Sequence, residues 1–104
     1  MRIARQSIVH PKSGMAQRVE RVLDELEAAY AMQPGYILGF RYRTKGTSGE
    51  LGRIAVWRSQ QDADHASQNT HIQAIRAELT RVIEGDHIEH LFEIEGAPQK
   101  LPES

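Results

Sequence analysis

The chain has no cysteine, few aromatic side chains, almost no net charge and no long apolar run. Without cysteine there is no disulfide framework, no zinc ribbon, no iron–sulfur cluster and no thiol nucleophile, and a reducing, cytoplasmic setting is expected. No segment approaches the roughly 18 consecutive apolar residues of a membrane span, and Met1 to Gln6 lacks the apolar stretch of a signal peptide, so a soluble, unexported protein with no membrane partner is expected. Thirteen Lys plus Arg against fourteen Asp plus Glu give a net charge of −1. That balance removes the sequence-independent attraction to phosphate on which nucleic-acid binders rely. Gly-x-Gly-x-x-Gly is also missing, and no paired catalytic carboxylates stand out; Glu20/Asp24 and Glu25/Glu27 read as solvated helix residues.

What remains is one domain of 104 residues. Eleven of its apolar residues are alanines, so its core is lean and a second copy of the chain would help it. Residues 1–96 read as the single domain, and 97–104, with two prolines and little to bury, as a C-terminal tail.

Arg2 to His10 carries Ile3, Ile8 and Val9 and stops at Pro11, which suits a strand. Met15, Val19, Val22, Leu23, Leu26 and Tyr30 recur on one helical face, predicting a helix from Gly14 to Met32 with Ser13 as N-cap and Gln33-Pro34-Gly35 as stop. Tyr36, Leu38, Phe40 and Tyr42 then alternate with Ile37, Gly39, Arg41 and Arg43, the period of a strand with an aromatic face. A second run from Leu51 to Arg58 follows the turn residues Gly46 to Gly49 and completes a hairpin. Ser59 and Asp62 form a capping-box pattern; Ser67-Gln68-Asn69-Thr70 predicts a bend; Ile72, Ile75, Leu79, Val82 and Ile83 mark a longer helix ending at Gly85. Asp86 to Glu95 reads as a fourth strand with Ile88, His90, Phe92 and Ile94 on its inward face.

The order β-α-β-β-α-β is that of ferredoxin-like α+β folds, a four-stranded antiparallel sheet with its helices on one face. The other face would expose Tyr36, Leu38, Phe40 and Tyr42, which predicts an interface or ligand site there. RNA-recognition domains share the element order, but they place several aromatics on strand three, where this chain has only Trp57 at the end.

The stretch Ile54-Ala55-Val56-Trp57-Arg58-Ser59-Gln60-Gln61-Asp62-Ala63-Asp64-His65, continuing to Ser67-Gln68-Asn69-Thr70-His71, resembles the antibiotic biosynthesis monooxygenase-like family of dimeric α+β barrels, as do Pro34-Gly35-Tyr36 and the Glu-rich last strand. The resemblance implies a homodimer whose sheets face one another, with a pocket between each sheet and its helices. Some members oxidise polycyclic phenols to quinones without metal or flavin, others bind or degrade haem, and fold alone does not choose among them. The leading expectation is a cofactor-independent, metal-free monooxygenase acting on a small aromatic or phenolic compound. The alternative is a non-enzymatic dimer binding a small hydrophobic ligand, and third comes a haem-binding member. Haem degradation of the family type implies an Asn on strand one and a His ten residues beyond the strand-three Trp; strand one here has no Asn, and that later position is Ser67.

The resemblance makes Trp57 a pocket wall and His65 a proton acceptor, with surface helix histidine as the alternative for the latter. His65 and His71 are six residues apart, about 240° around a helix, so they do not form a metal pair. His90, on an expected inward face, is the second candidate base, and otherwise a satisfied core or interface histidine. His71, Tyr36 and Arg41 complete the candidate substrate-binding set. The alternative for Arg41, Arg43 and Arg53 is pairing with Glu50, Glu89, Glu93 or Glu95; for Tyr36 it is the dimer interface; His10 and His87 are expected in solvent at strand ends.

Overall fold

A computed structural model describes residues 1–46, 49–96 and 99; the predicted tail at 97–104 lies, apart from Gln99, outside the described residues. The elements are β1 (Ile3–Val9), α1 (Ala16–Ala31), β2 (Tyr36–Arg43), β3 (Leu51–Trp57), α2 (Gln60–Ala66), α3 (Thr70–Val82) and β4 (Ile88–Glu93). The strands form one antiparallel sheet in the order β2-β3-β1-β4. This is the expected ferredoxin-like α+β architecture, with its second helix in two pieces. Among the described residues no helix is long and apolar enough to cross a membrane.

Local chemistry sets the element ends. Gly14 takes a φ of +78°, a left-handed conformation that cannot begin a right-handed helix, so α1 starts at Ala16 rather than Gly14 and Ser13 does not cap it. The predicted cap at Ser59 is present, its Oγ accepting from the Asp62 amide at 3.1 Å. The bend predicted at 67–70 occurs where Asn69 caps α3, its Oδ1 accepting from the amides of His71 and Ile72 at 2.9 and 3.1 Å. Helix α3 ends at Val82, short of Gly85, because Ile83 becomes extended to bridge Pro11 while the Lys12 amide donates to the Val82 carbonyl.

The core lies between the sheet and the α1–α3 pair. Val19, Val22, Leu23, Leu26 and Tyr30 of α1 and Ile72, Ile75 and Leu79 of α3 are buried against Leu51, Ala55 and Trp57 of β3. The helices lie over β2 and β3, and β4 is exposed at all six positions.

The register corrects two expectations. Tyr36 pairs with Trp57 but Leu38 pairs with Val56, so Ile37 is an extra residue in β2. One inserted residue exchanges the sheet faces, so Tyr36 points to the helices while Leu38, Phe40 and Tyr42 point away. In β4, His90 pairs with Gln6 and Phe92 with Ala4, which puts Ile88, His90 and Phe92 on the outer face and not inward. Across the strands the outer face reads Leu38-Val56-Ala4-Phe92, then Phe40-Ile54-Gln6-His90, then Tyr42-Gly52-Ile8-Ile88.

Candidate functional site

The uncovered half of the sheet, where β1 and β4 meet α2 and α3, collects polar side chains from five parts of the chain. On β1 the helix-facing positions are Ile3, Arg5, Ser7 and Val9, apolar at the ends and polar between. Arg5 donates from Nη2 to Asp64 Oδ1 of α2 at 2.7 Å and from Nη1 to Ser67 Oγ at 3.4 Å. Ser67 Oγ lies 3.2 Å from the Tyr30 hydroxyl, which accepts from Arg76 Nη1 at 3.1 Å. Arg76 Nη2 donates to Glu89 Oε1 at 3.0 Å and lies 3.4 Å from His87 Nε2, which is itself 3.1 Å from Glu89 Oε1. Two guanidiniums thus stand at the ends of a continuous chain running through two hydroxyls. Leu91, exposed on the same side of β4, supplies an apolar shoulder.

Electrostatics hold this cluster charged. Burial pushes the Glu89 carboxyl upward, but the hydrogen bond and charge of Arg76, with His87 and Arg5 behind, outweigh it and keep the group below the ordinary glutamate range. Burial of Arg76 works against its charge, and Tyr30 and Glu89 more than restore it.

Beneath the cluster lies Trp57, 1% exposed. Tyr30 and Tyr36 each meet its ring edge-on, at 5.7 and 5.4 Å. Arg53 lies over the Tyr30 ring at 4.7 Å and donates from Nε to Glu27 Oε1 at 2.9 Å; the Tyr36 hydroxyl donates to Glu27 Oε2 at 2.7 Å. Burial, then the hydrogen bond and charge of Glu27, push the Tyr36 hydroxyl far up, so it remains a neutral donor. Trp57 supports the polar cluster through Tyr30.

The sequence candidates are dispersed. His65 is exposed on α2 and forms no side-chain hydrogen bond or ion pair among the described residues. His90 is exposed on the outer sheet face, opposite to Trp57, its ring 6.1 Å from Phe92. His71 lines a separate groove of about 590 Å³ on the outside of the helix layer, with Ala28, Met32, Ile72 and Ile75. Tyr36 is held inside by Glu27. Arg41 donates to Asp24, Arg43 to Glu20 and Arg53 to Glu27. These partners are on α1, not Glu50, Glu89, Glu93 or Glu95, because odd positions of β2 beyond the bulge and of β3 face the helices. Glu27 is correspondingly not a solvated helix residue, and His87 is not left in solvent. Ser67, where a haem-degrading relative implies histidine, gives the cluster a hydroxyl. Among the described residues no three His, Asp or Glu side chains are grouped to hold a metal ion.

Arg5, Tyr30, Arg76, His87 and Glu89 were not site candidates from the sequence. Arg76 carries the clearest sequence signal, a charge inside the stripe formed by Ile72, Ile75 and Leu79. Arg5 is signalled by a polar break between Ile3 and Val9 at strand spacing.

Solved structures share this architecture. SnoaB from Streptomyces nogalater, a cofactor-independent oxygenase, solved as its N63A mutant, superposes with a TM-score of 0.80 at 22% identity over 98% of both chains. Rv0793 from Mycobacterium tuberculosis gives 0.86 at 15% identity over 95% of this chain and 100% of its own. A conserved protein from Methanosarcina mazei Go1 gives 0.84 at 14% identity over 91% and 94%. At these identities the likeness establishes the fold. No curated protein sequence matches the chain. The family model for antibiotic biosynthesis monooxygenase matches residues 3–78, most of the chain and all of its elements up to the middle of α3, and the protein belongs to that family.

Proposed function

We propose that the protein is a cofactor-independent monooxygenase that oxidises a small phenol or hydroquinone with molecular oxygen at the polar cluster that joins β1 and β4 to α2 and α3. The observation that carries this reading is the chain Arg5–Ser67–Tyr30–Arg76, anchored on Trp57 and placed beside the exposed strand β4. An aromatic ring laid on Leu91 directs its hydroxyl at the Arg76 guanidinium. The positive charge favours the phenolate, and a preorganised donor of this kind is worth on the order of 10²–10³ in rate. The family match and the SnoaB-like fold support the same chemistry.

The reaction balances without a resident cofactor. The phenolic O–H bond breaks and the anion passes one electron to oxygen. The phenoxyl radical and superoxide join at a ring carbon, and a proton completes the hydroperoxide. Loss of the ring proton at that carbon with cleavage of the O–O bond leaves a quinone and, with the proton first taken from the phenol, water. One oxygen atom enters the product and one leaves as water.

The working unit in this reading is a homodimer formed through the outer sheet face. Leu38, Phe40, Ile88 and Phe92 are 48–50% exposed there, an apolar surface that a second sheet would cover.

The test is oxygen consumption by chelator-treated protein with a panel of phenols and hydroquinones, following quinone absorbance at the same time. Stoichiometric oxygen uptake and quinone formation, lost on Arg76→Met, are expected. A panel with no uptake above the protein-free rate contradicts the reading and favours the non-enzymatic ligand-binding dimer.

A further inference from the structure

We propose that Tyr30, Trp57 and Tyr36 form an electron relay that draws a one-electron hole inward from the polar cluster and leaves it on Tyr36, whose hydroxyl proton passes to Glu27. The inference goes beyond the phenol oxidation proposed above and does not depend on where a phenol binds.

The three rings are stacked in series through the core. Tyr30 and Tyr36 stand edge-on to Trp57, with planes at 86° and 89° to it and centroids 5.7 and 5.4 Å away. Tyr30 begins the series at the cluster, where its hydroxyl meets Ser67 and Arg76. Electrons tunnel across contacts this short far faster than side chains rearrange. Trp57 is 1% exposed, so its radical is shielded from water and from oxygen-derived traps while the electron moves.

Where the hole stops is decided by protons, because oxidation turns a phenol into a strong acid. The two tyrosines are opposites in this respect. The Tyr36 hydroxyl donates to Glu27 Oε2 at 2.7 Å, so a carboxylate is in place to take the proton as the electron leaves. Arg53 holds Glu27 chiefly by the other oxygen, Oε1 at 2.9 Å, and reaches Oε2 at 3.3 Å. The strand also leaves room for this hydrogen bond: a β-carbon at Gly39 would collide with both the Tyr36 hydroxyl and Glu27 Oε2. The Tyr30 hydroxyl instead accepts from the Arg76 guanidinium, and the Arg53 guanidinium lies over its ring at 4.7 Å. Two cations oppose a hole on Tyr30, and its other partner, the Ser67 hydroxyl, is a poor base. Tyr30 therefore bridges, and Tyr36 is the terminus.

The oxidant class is an oxyl radical, the product of homolytic O–O cleavage in a hydroperoxide. It gains one electron from Trp57 and one proton from solvent and becomes an alcohol. The Trp57 radical cation takes an electron from Tyr36, the Tyr36 O–H bond breaks, and the proton joins Glu27 Oε2; tryptophan is restored and a neutral tyrosyl radical remains. An electron from a hydroquinone, which leaves as semiquinone and a proton, lets Glu27 return its proton and resets Tyr36. The phenoxyl radical of a hydroquinone is too weak an oxidant to attack indole, so the relay leaves it alone and drains only the more destructive species.

The relay can be read without substrate. Trp57 is the single tryptophan beside three tyrosines, so an intense near-ultraviolet pulse absorbed by indole and not by phenol ionises one known site, and hexaamminecobalt(III) removes the ejected electron. Transient absorption of wild-type protein is expected to show the indole radical giving way to a tyrosyl radical, more slowly in heavy water because a proton moves with the electron. Tyr36→Phe, checked for retained circular dichroism, should lose the tyrosyl band and keep a long-lived Trp57 radical. Tyr42→Phe, on the outer sheet face, should behave as wild type. A tyrosyl band that persists in Tyr36→Phe, or a wild-type Trp57 radical that decays without one, overturns the relay. An unchanged rate in heavy water, read on wild type alone, overturns the transfer to Glu27.

Discussion

Arg53 and Glu27 form an ion pair almost entirely shielded from water: Nε and Oε1 are 2.9 Å apart, and the two side chains are 3% and 13% exposed. The same carboxylate takes the Tyr36 hydroxyl, and the same guanidinium lies against Tyr30, so one pair ties together both aromatic rings that touch Trp57. Removing one partner leaves the other charge buried and unpaired. Glu27→Ala is expected to lower unfolding free energy by about 3–5 kcal/mol. Asp24→Ala, at the neighbouring Arg41 pair where Asp24 is 59% exposed, should cost about 0–1 kcal/mol. Denaturant unfolding of the two variants checks the contrast, and equal losses would contradict the account of the buried pair.

Gly52 lies under Tyr42, whose ring crosses β3 so that its hydroxyl accepts a hydrogen bond from Gln6 Nε2 at 2.7 Å. A methyl group at this position meets the Tyr42 ring and comes within 2.8 Å of the Ser7 carbonyl oxygen, which belongs to the backbone of β1. Gly52→Ala is therefore expected to destabilise the fold by about 1–3 kcal/mol, as overpacking does. Its thermal midpoint against wild type is the measurement.

The outer sheet face should govern assembly but not the subunit's own fold, because its large apolar side chains are half exposed in the single chain. For the proposed homodimer, wild type is expected to sediment as a dimer and Phe40→Glu as a monomer that retains the circular dichroism of the wild type. Analytical ultracentrifugation decides this. A Phe40→Glu protein that still sediments as a dimer places the interface elsewhere.

Glu89 makes stability depend on acid. Its folded carboxyl titrates below the ordinary value of 4.5, so its contribution is fully present above that value and is lost as pH falls through 4.5 toward the folded-state value. Glu89→Gln should be less stable than wild type near neutrality, and the difference should vanish in acid. Thermal melts across pH check the convergence; a gap that persists at low pH contradicts it.

The element order and most of the fold were legible because helix and strand periods are local properties of the chain. Val19 to Tyr30 mark one helical face, Ser59 announces its cap, and the polar run Ser67 to Thr70 announces a bend, without reference to anything distant. The faces of β2 are not legible in its own sequence: the Ile37 bulge reflects pairing with β3, and alternation within Tyr36 to Tyr42 carries no sign of it. His90 shows the same limit, since the face of an edge strand is decided by its register with β1. The polar cluster is the least legible part. Arg5, Ser67, Tyr30, Arg76 and His87 are scattered along the chain, and each has an ordinary local explanation. Only the antiparallel placement of β1 between β3 and β4 brings them together.

A phenol is expected to bind over the Arg5–Ser67–Tyr30–Arg76 chain. Chemical-shift mapping of uniformly ¹⁵N-labelled protein during titration with 4-nitrophenol tests it most directly. Saturable shifts centred on Arg5, Ser67, Arg76 and Leu91 are predicted, with His65 and the outer-face residue Phe40 unmoved. Shifts centred instead on Met32, His71 and Ile75, in the groove outside the helix layer, would contradict it.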